Sequence, residues 1–332
     1  MNSTNPVQPA VSNQPELQHI ADVAKRLRDA LETVVFGQPR VIDRLLVGLL
    51  SEGHLLLEGI PGTAKTTLVK LLSQLIQADF RRVQLTPDLL PAEITGTNVF
   101  DLNERSFHFR PGPVFTDILL ADEINRTPPK TQSALLEAME EHQVTVDGVK
   151  HLLSPLFTVI ATLNPIEFEG TYPLPEAQLD RFMMKIEVSY PEGDAEKQML
   201  QAFVEGAGVR FFQQRTLSPV TTRDEILACR KALRYVHLEA PVMDYLLAIV
   251  QHTRQTPLLS LGCSPRAALS LLTASRAYAA IQGQAYVTPD HVKAMAPGVL
   301  CHRMMVSPEA DLDNLRANEV LTQILGQVPV PR

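Results

Sequence analysis

A glycine-rich loop between an apolar run and a helical pattern has the residue types needed to bind phosphate. Residues 59–67 read Gly-Ile-Pro-Gly-Thr-Ala-Lys-Thr-Thr and directly follow three leucines. Small residues let consecutive backbone N–H groups approach one anion, and the following helix N-terminus adds its dipole. In such a loop Lys65 reaches the β- and γ-phosphates, and the Thr66 hydroxyl coordinates Mg²⁺. The candidate nucleotide-binding residues of this loop are Gly59, Pro61, Gly62, Thr63, Ala64, Lys65, Thr66 and Thr67.

One position departs from the usual pattern of such a loop. Ala64 stands where a second motif glycine is usual. An alanine costs little at that place if its backbone φ is negative, because only positive φ values strain a residue that carries a Cβ.

Two adjacent carboxylates, Asp122 and Glu123, follow the apolar run 118–121. Acids at the end of a buried strand are costly unless a cation lies there. We expect Asp122 to hold Mg²⁺ through water and Glu123 to orient and polarise the water that attacks the γ-phosphoryl group. The pair follows the loop by about sixty residues, on a second strand of the same predicted sheet, which favours a site over a solvated strand end.

Short apolar runs alternate with helical segments between residues 54 and 190, which predicts a mostly parallel sheet covered by helices on both faces. Two further stretches, 98–109 and 144–150, predict antiparallel hairpins, and Asp147-Gly148 is a strong signal for a two-residue turn. The five predicted strands of the sheet are residues 54–57, 82–85, 118–121, 156–162 and 183–188.

The two ends of the chain differ from this middle part. Residues 1–15 contain three prolines and no charge, so we predict a flexible tail. The α/β domain then covers 16–190, and 191–332 are predicted to form an all-helical domain. Ser264-Pro265 and Thr288-Pro289 mark helix starts there, because each pair supplies an N-cap residue followed by a proline whose fixed φ suits the first position of a helix.

The composition limits the classes of function. The chain has 332 residues and a formal net charge of -7, without a membrane-length apolar run or the pattern of a secretion signal. Its three cysteines, Cys229, Cys263 and Cys301, show no metal-site spacing and suit a reducing compartment, so we expect the cytoplasm. A pI near 5.7 argues against nucleic acid as the main partner.

Taken in order along residues 17–325, the motifs resemble those of AAA+ ATPases and, within them, of the MoxR family. Ala64 itself matches the MoxR form of the phosphate loop. The resemblance implies a P-loop AAA+ core with a five-stranded parallel sheet, followed by an all-helical lid domain. The motifs are Gly59-Ile-Pro-Gly-Thr-Ala-Lys-Thr66, Thr86-Pro-Asp-Leu-Leu-Pro91, Ala121-Asp-Glu-Ile-Asn-Arg-Thr-Pro-Pro-Lys130, Ala134-Leu-Leu-Glu-Ala-Met-Glu-Glu141, Ala161-Thr-Leu-Asn-Pro165, Leu174-Pro-Glu-Ala-Gln-Leu-Asp-Arg-Phe182 and Gly262-Cys-Ser-Pro-Arg-Ala267.

The resemblance also implies catalytic roles for three polar residues. Asn164 resembles sensor 1, which holds the nucleophilic water, although its position alone favours an Asn-Pro turn. Arg181 resembles an arginine finger donated to the neighbouring subunit's nucleotide; the alternative is an ion pair with Asp180. Arg266 resembles sensor 2, and the sequence leaves open whether it acts on its own or on the neighbouring nucleotide.

Other positions receive supporting roles from the same resemblance. Gly37 and Gln38 occupy the place where AAA+ proteins usually contact adenine, which makes ATP the expected nucleotide. Gln84 could hold Glu123 inactive or could be an ordinary residue at a strand end. Arg126 would line the subunit interface.

The two hairpins resemble the helix-2 insertion (about 93–113) and the pre-sensor-1 hairpin (about 144–153), which face the channel of a ring in this family. Aromatic residues at Phe100, Phe107 and Phe109 suit the gripping of a client, or the packing of their own hairpin.

The resemblance therefore implies an ATP-hydrolysing, Mg²⁺-dependent hexameric ring that remodels, matures or activates a client protein, including possible metal or cofactor insertion. The usual partner carries a von Willebrand factor A domain, whose Asp-x-Ser-x-Ser motif is not found in this sequence. The alternatives are a magnesium-chelatase-like motor subunit, a nucleic-acid translocating motor and a non-hydrolysing scaffold.

Overall fold

The computed structural model describes residues 14–60, 62–165, 171–191, 193–205 and 217–331. The strands are β1 (Leu55–Glu58), β2 (Phe80–Gln84), β3 (Gly96–Asp101), β4 (Ser106–Pro111), β5 (Ile118–Asp122), β6 (Gln143–Val146), β7 (Val149–Leu152), β8 (Thr158–Leu163), β9 (Met184–Glu187), β10 (Leu259–Leu261) and β11 (Met305–Val306). The helices of the α/β part are α1 (Gln14–Glu32), α2 (Pro39–Leu50), α3 (Lys65–Leu75), α4 (Pro91–Thr95), α5 (Pro129–Glu141) and α6 (Glu176–Leu179). The helices that follow are α7 (Gly193–Glu205), α8 (Arg223–Ala232), α9 (Ala240–Gln255), α10 (Pro265–Ile281), α11 (Pro289–Leu300), α12 (Pro308–Leu312) and α13 (Ala317–Gln327).

The central sheet has five strands in the order β2-β5-β8-β1-β9, and every neighbouring pair is parallel. All carboxyl ends of the strands therefore lie at one edge. Because β8 lies between β1 and β5, the segments that follow these three strands meet at the centre of that edge, where ligands of such sheets bind. The topology thus brings the phosphate loop, the paired carboxylates and Asn164 together.

The five predicted strands are present, with shifts at their ends. Residues 156–157 are buried but precede β8, since Leu156 and Phe157 pack in the core before the pairing begins. Strand β2 begins at Phe80, two residues earlier than predicted. It is the outermost strand on one side of the sheet, and its Arg81 and Arg82 are exposed, so no apolar run marks where it begins.

Both predicted hairpins are present and lie side by side. In the turn between β6 and β7, Asp147 has φ 49° and Gly148 has φ 81°, the left-handed pair that a two-residue type I′ turn requires. The Asn98 amide donates a hydrogen bond of 2.6 Å to Asp147, and the Phe109 ring stacks on His151 with centroids 3.8 Å apart. These contacts join the hairpin β3–β4 to the hairpin β6–β7.

The C-terminal part is helical, and its helices α8, α10 and α11 begin at the side-chain caps Thr222, Ser264 and Thr288. The short antiparallel pair β10–β11 interrupts the helices. Helices α1 and α2 pack on α10, so one hydrophobic cluster runs through both parts.

Helix α1 begins at Gln14, so residues 14–15, expected in the tail, are helical, because Leu17 and Ile20 bury the face of the first turns. The rest of the predicted tail lies outside the described residues. Within the described ranges, we find no helix with the length and apolarity needed to cross a bilayer.

Two buried histidines make the fold sensitive to acid. Burial lowers the pKa of His54 to about 4 and that of His302 to about 3. The unfolded chain protonates both below about pH 6.5, whereas the folded chain keeps them neutral, so stability is lost as the pH falls from about 6.5 towards 4.

We expect the unfolding free energy of the His302→Gln variant to fall less steeply between pH 6 and 5, by about 1.4 kcal/mol per pH unit. The glutamine amide can still donate to the Phe182 carbonyl, as His302 does at 3.0 Å. Urea denaturation at each pH measures the slope. The exposed His237→Gln change serves as the control, and equal slopes in the two variants would contradict the prediction.

Candidate nucleotide-binding and catalytic site

The phosphate loop runs from the end of β1 to the first residue of α3, which is Lys65. At Gly59 the chain approaches the strand beside it so closely that a Cβ would lie 2.4 Å from the Val188 carbonyl oxygen. At Gly62 there is space for a Cβ, but φ is 85°, so the backbone conformation favours glycine. Pro61 lies outside the described residues.

Ala64 does not meet the condition under which its alanine would be inexpensive. Its φ is 60° and its ψ is 19°, which is the left-handed helical region. A non-glycine residue there carries strain of about 1 kcal/mol or more, and such strain is common where a loop must present its backbone to a ligand.

We expect the Ala64→Gly variant to be more stable than the parent by about 1 kcal/mol, because glycine removes the strain at positive φ. Urea unfolding of the nucleotide-free protein measures the change. The matched control is Ala134→Gly in the interior of α5, where the same substitution should destabilise by about 1 kcal/mol. A loss of stability in both variants would contradict the prediction.

A cavity of about 460 Å³ opens beside the loop at the carboxyl edge of the sheet. It brings together most of the residues predicted from sequence, and it adds Val34, Thr162, Leu163 and Met199. The predicted residues that line it are Gly62, Thr63, Ala64, Lys65, Thr66, Thr67, Asp122, Glu123 and Asn164.

The ammonium group of Lys65 folds back onto its own loop. It donates hydrogen bonds to the carbonyl oxygens of Gly59 and Ile60, the latter at 2.9 Å, and lies 3.4 Å from the Thr63 hydroxyl. Partial burial lowers the pKa of Lys65, and the carboxylates of Asp122 and Glu123 oppose that shift. The lysine therefore lies where phosphate oxygens can replace the loop carbonyls as its partners.

The Asp122 carboxylate is held from two sides. Thr162 on β8 donates to one oxygen at 2.6 Å, and the Arg82 guanidinium pairs with the other at 2.6 Å. The Thr162 hydroxyl also accepts the backbone N–H of Glu123 at 2.9 Å. These contacts fix both acids relative to the central strands.

Glu123 has a strained backbone, with φ 60° and ψ 55°. The Gln84 amide donates to its carboxylate at 2.6 Å, and Arg126 Nε lies 3.2 Å from the same oxygen. The contact that would allow Gln84 to restrain Glu123 is thus present. Non-glycine residues at positive φ cluster at functional sites, where the surrounding structure supports their strain.

The donor set suits a nucleotide with Mg²⁺. Hydroxyl and carboxylate oxygens are ligands that Mg²⁺ prefers, and Thr66 and Asp122 line the same cavity. Lys65 adds a cation at the loop, and the N-terminus of α3 adds a positive dipole end. The residues present therefore fit a magnesium nucleotide.

The two residues predicted beside adenine do not line the cavity. Gly37, at φ 69°, packs so closely against α7 that a Cβ would lie 2.4 Å from the Ala195 Cβ. The Gln38 amide nitrogen donates to the Ser189 carbonyl at 2.9 Å, whereas its buried oxygen has no hydrogen-bond partner among the described residues. The apolar side chains that reach the cavity near this segment are Val34 and Met199.

Arg181 and Arg266 lie in a different cavity, of about 310 Å³, with Glu140 between them. Arg181 Nε is 3.1 Å from one Glu140 oxygen, and Arg266 pairs with the other. The predicted alternative, an ion pair between Arg181 and Asp180, is wrong. Asp180 instead binds the Ser264 hydroxyl at 3.0 Å and lies 3.3 Å from Arg303, because the helical part packs against this segment.

The two cavities lie at opposite ends of the strands of the central sheet. His54, which precedes β1, lines the arginine cavity, whereas the loop that follows β1 lines the other. A strand of four residues spans about 13 Å. The arginines are thus on the far side of β1 from the phosphate loop of their own chain.

Known proteins share both parts of this architecture. The model of the ATPase family associated with various cellular activities (AAA) matches residues 54–184, and the AAA lid domain matches residues 251–324. Chaperone MoxR1 of Mycobacterium tuberculosis is 38% identical over 311 residues, which cover 91% of this chain and 81% of that protein. The chain belongs to the MoxR family of AAA+ ATPases.

Two other proteins are also similar to this MoxR-family chain over most of its length. The YeaC protein of Bacillus subtilis is 44% identical over 301 residues, covering 91% of this chain and 92% of that protein. A solved structure of a candidate ATPase from Cytophaga hutchinsonii has a TM-score of 0.87 and 35% identity, and covers 97% of this chain and 98% of its own. The fold, with its five-stranded parallel sheet and helical C-terminal part, is that of this family.

Three polar residues that line these cavities or contact their lining were not predicted from sequence. Arg82 could have been found, since it shares a face of β2 with Gln84 and so points towards the same carboxylates. In the sequence, Thr162 is only the last residue of an apolar run. Glu140 gives no local signal, because its partners Arg181 and Arg266 are far away in the chain.

Proposed function

We propose that this protein is a ring-forming motor that hydrolyses ATP and uses the energy to remodel, mature or activate a client protein. The observation that carries the proposal is the set of residues around the larger cavity. A phosphate loop, a lysine, two carboxylates and the amide of Asn164 surround one space of nucleotide size.

Each residue has a role in the proposed hydrolysis. The loop N–H groups and Lys65 bind the phosphates, and Thr66 and Asp122 would hold Mg²⁺, which when bound neutralises phosphate charge. Glu123 orients and polarises the attacking water, and Asn164 lies at the end of β8, where it can hold that water from the other side. Gln84, which donates to Glu123, restrains the carboxylate until it is needed.

The base is proposed to be adenine, as the family resemblance at Gly37 and Gln38 implies. Neither residue lines the cavity, so the apolar residues of its lining carry this part of the proposal. Gly37 keeps the chain close to α7 at that place, and Val34 and Met199 supply apolar contact for a planar ring.

The position of the arginines supports action between subunits. Arg181 and Arg266 are separated from their own phosphate loop by the length of β1, so both would act on the nucleotide of a neighbouring subunit. Guanidinium groups supplied in trans make hydrolysis depend on assembly. A closed ring, which we propose to be a hexamer, gives every site such a neighbour.

The joined hairpins are the proposed client-gripping surface. Phe100 and Phe107 are exposed near the tip of the hairpin β3–β4, where their rings contact each other edge to face, and Phe109 stacks on His151. A separate partner is proposed to carry a von Willebrand factor A domain, and activation of the client can include metal or cofactor insertion. From composition, the expected compartment is the cytoplasm.

Steady-state ATPase activity against protein concentration tests the proposal, with light scattering on the same samples and the Glu123→Gln variant as the blank. Activity per subunit should rise as rings form. Activity that is independent of concentration and comes from a monomer would contradict the ring mechanism, and absence of ATP binding would contradict the motor itself.

A further inference from the structure

We propose that Glu140 is a positioning residue that sets the two trans-acting arginines for the neighbouring nucleotide. The inference rests on the proposed function, because it assigns a task to a residue that touches Arg181 and Arg266 rather than ATP.

One carboxylate organises both guanidinium groups. Each oxygen of Glu140 has its own arginine: Oε2 faces Arg181 Nε at 3.1 Å, and Oε1 accepts from a terminal nitrogen of Arg266. The Arg266 guanidinium holds the pKa of Glu140 below its ordinary value, so the carboxylate stays charged at neutral pH. The other terminal nitrogens of the two arginines can donate to an incoming phosphate.

The two arginines would repel each other without this acid. They come from different elements, the segment before β9 and the first turn of α10, and both face the same open cavity. The Glu140 carboxylate lies between the two positive charges and pairs with both, so the two side chains can stay at one place.

Glu140 is itself anchored to the sheet. The preceding residue, Met139, accepts at its carbonyl a hydrogen bond of 3.0 Å from the buried His54, which directly precedes β1. On the other side, Asp180 is held by Ser264 and Arg303, which fixes the residue next to Arg181. The sheet thus fixes the position of Glu140, and the Glu140 carboxylate in turn fixes the positions of both guanidinium groups.

Mixed rings isolate this task. Subunits with Arg181→Ala bind ATP but lack the finger, and subunits with Lys65→Ala keep the finger but lack ATP binding. When the two are mixed, hydrolysis arises where a Lys65→Ala subunit donates arginines to its neighbour. Introducing Glu140→Gln into this donor alone should lower kcat about tenfold with the KM for ATP unchanged, because misplacing catalytic groups affects the transition state.

The matched control is Glu141→Gln in the same donor, an exposed acid one residue away, which should rescue fully. A Glu140→Asp donor keeps the charge on a shorter side chain and should give an intermediate kcat. If Glu140→Gln lowers the melting temperature of the donor, the Glu140→Asp donor carries the test, with a several-fold loss expected.

The outcomes separate the two proposals. If no Lys65→Ala donor restores hydrolysis, action in trans is overturned, and the proposed role of Glu140 is overturned with it. Rescue by the unmodified donor together with equal rescue by the Glu140→Gln donor would overturn the role of Glu140 alone. A faster rate with the Glu140→Gln donor would also overturn it, because Glu140 would then shield the arginines instead of positioning them.

Discussion

Replacing Arg181 with alanine should lower the turnover of assembled rings by at least about a thousandfold while each subunit still binds ATP. In the proposed mechanism the guanidinium stabilises charge that develops only in the transition state, so its loss should affect kcat far more than nucleotide affinity. The phosphate loop and its cavity do not include Arg181, which is why binding should persist. Single-turnover hydrolysis and binding of a fluorescent ATP analogue measure the two quantities.

The control for this prediction is Arg234→Ala, which removes an exposed arginine that lines neither cavity. Arg234→Ala should retain the activity of the parent. Addition of Lys65→Ala subunits to Arg181→Ala subunits should restore part of the rate. Loss of ATP binding in the Arg181→Ala protein would show that the arginine supports its own site, contrary to the geometry.

The Glu123→Gln variant should bind ATP as the parent does and should hydrolyse it about a hundredfold more slowly or worse. Glutamine keeps the size of the side chain and still offers an oxygen to the Gln84 amide, which now donates to Glu123 at 2.6 Å. What it removes is the negative charge that we propose polarises the attacking water. Equilibrium binding and steady-state phosphate release test the two halves of the prediction.

Glu137→Gln is the matched control, since Glu137 is an exposed acid on α5 outside the nucleotide cavity. It should leave both binding and turnover unchanged. Normal turnover by the Glu123→Gln protein would remove Glu123 from its proposed role and would direct attention to Asp122.

Much of the fold follows from local patterns in the sequence. Strands β1, β5 and β8 are buried on both faces, so each is a continuous apolar run that the sequence displays directly. The edge strand β2 is harder, because its exposed arginines interrupt such a run. The turn at Asp147-Gly148 was predictable because few residue pairs accept two positive φ angles.

The candidate sites divide in the same way. The loop and the acidic strand end are contiguous motifs, so their residue types and spacing predict their chemistry. The backbone angle of Ala64 could not be predicted, because the surrounding loop sets it. The grouping of Arg181, Arg266 and Glu140 depends on how the helical part packs against the sheet, which the order of motifs along the chain does not specify.

The inward fold of Lys65 has a consequence for the selectivity of the phosphate loop. The Lys65 ammonium is already bonded to two loop carbonyls and lies near the Thr63 hydroxyl, so its positive charge is not fully exposed. An entering anion must replace these internal bonds as well as shed its own water. A weakly charged or monovalent anion gains too little in that exchange, whereas a chain of phosphates gains contacts at several N–H groups at once. We therefore expect Lys65 to disfavour small anions of single charge and to be displaced from these bonds by a polyphosphate.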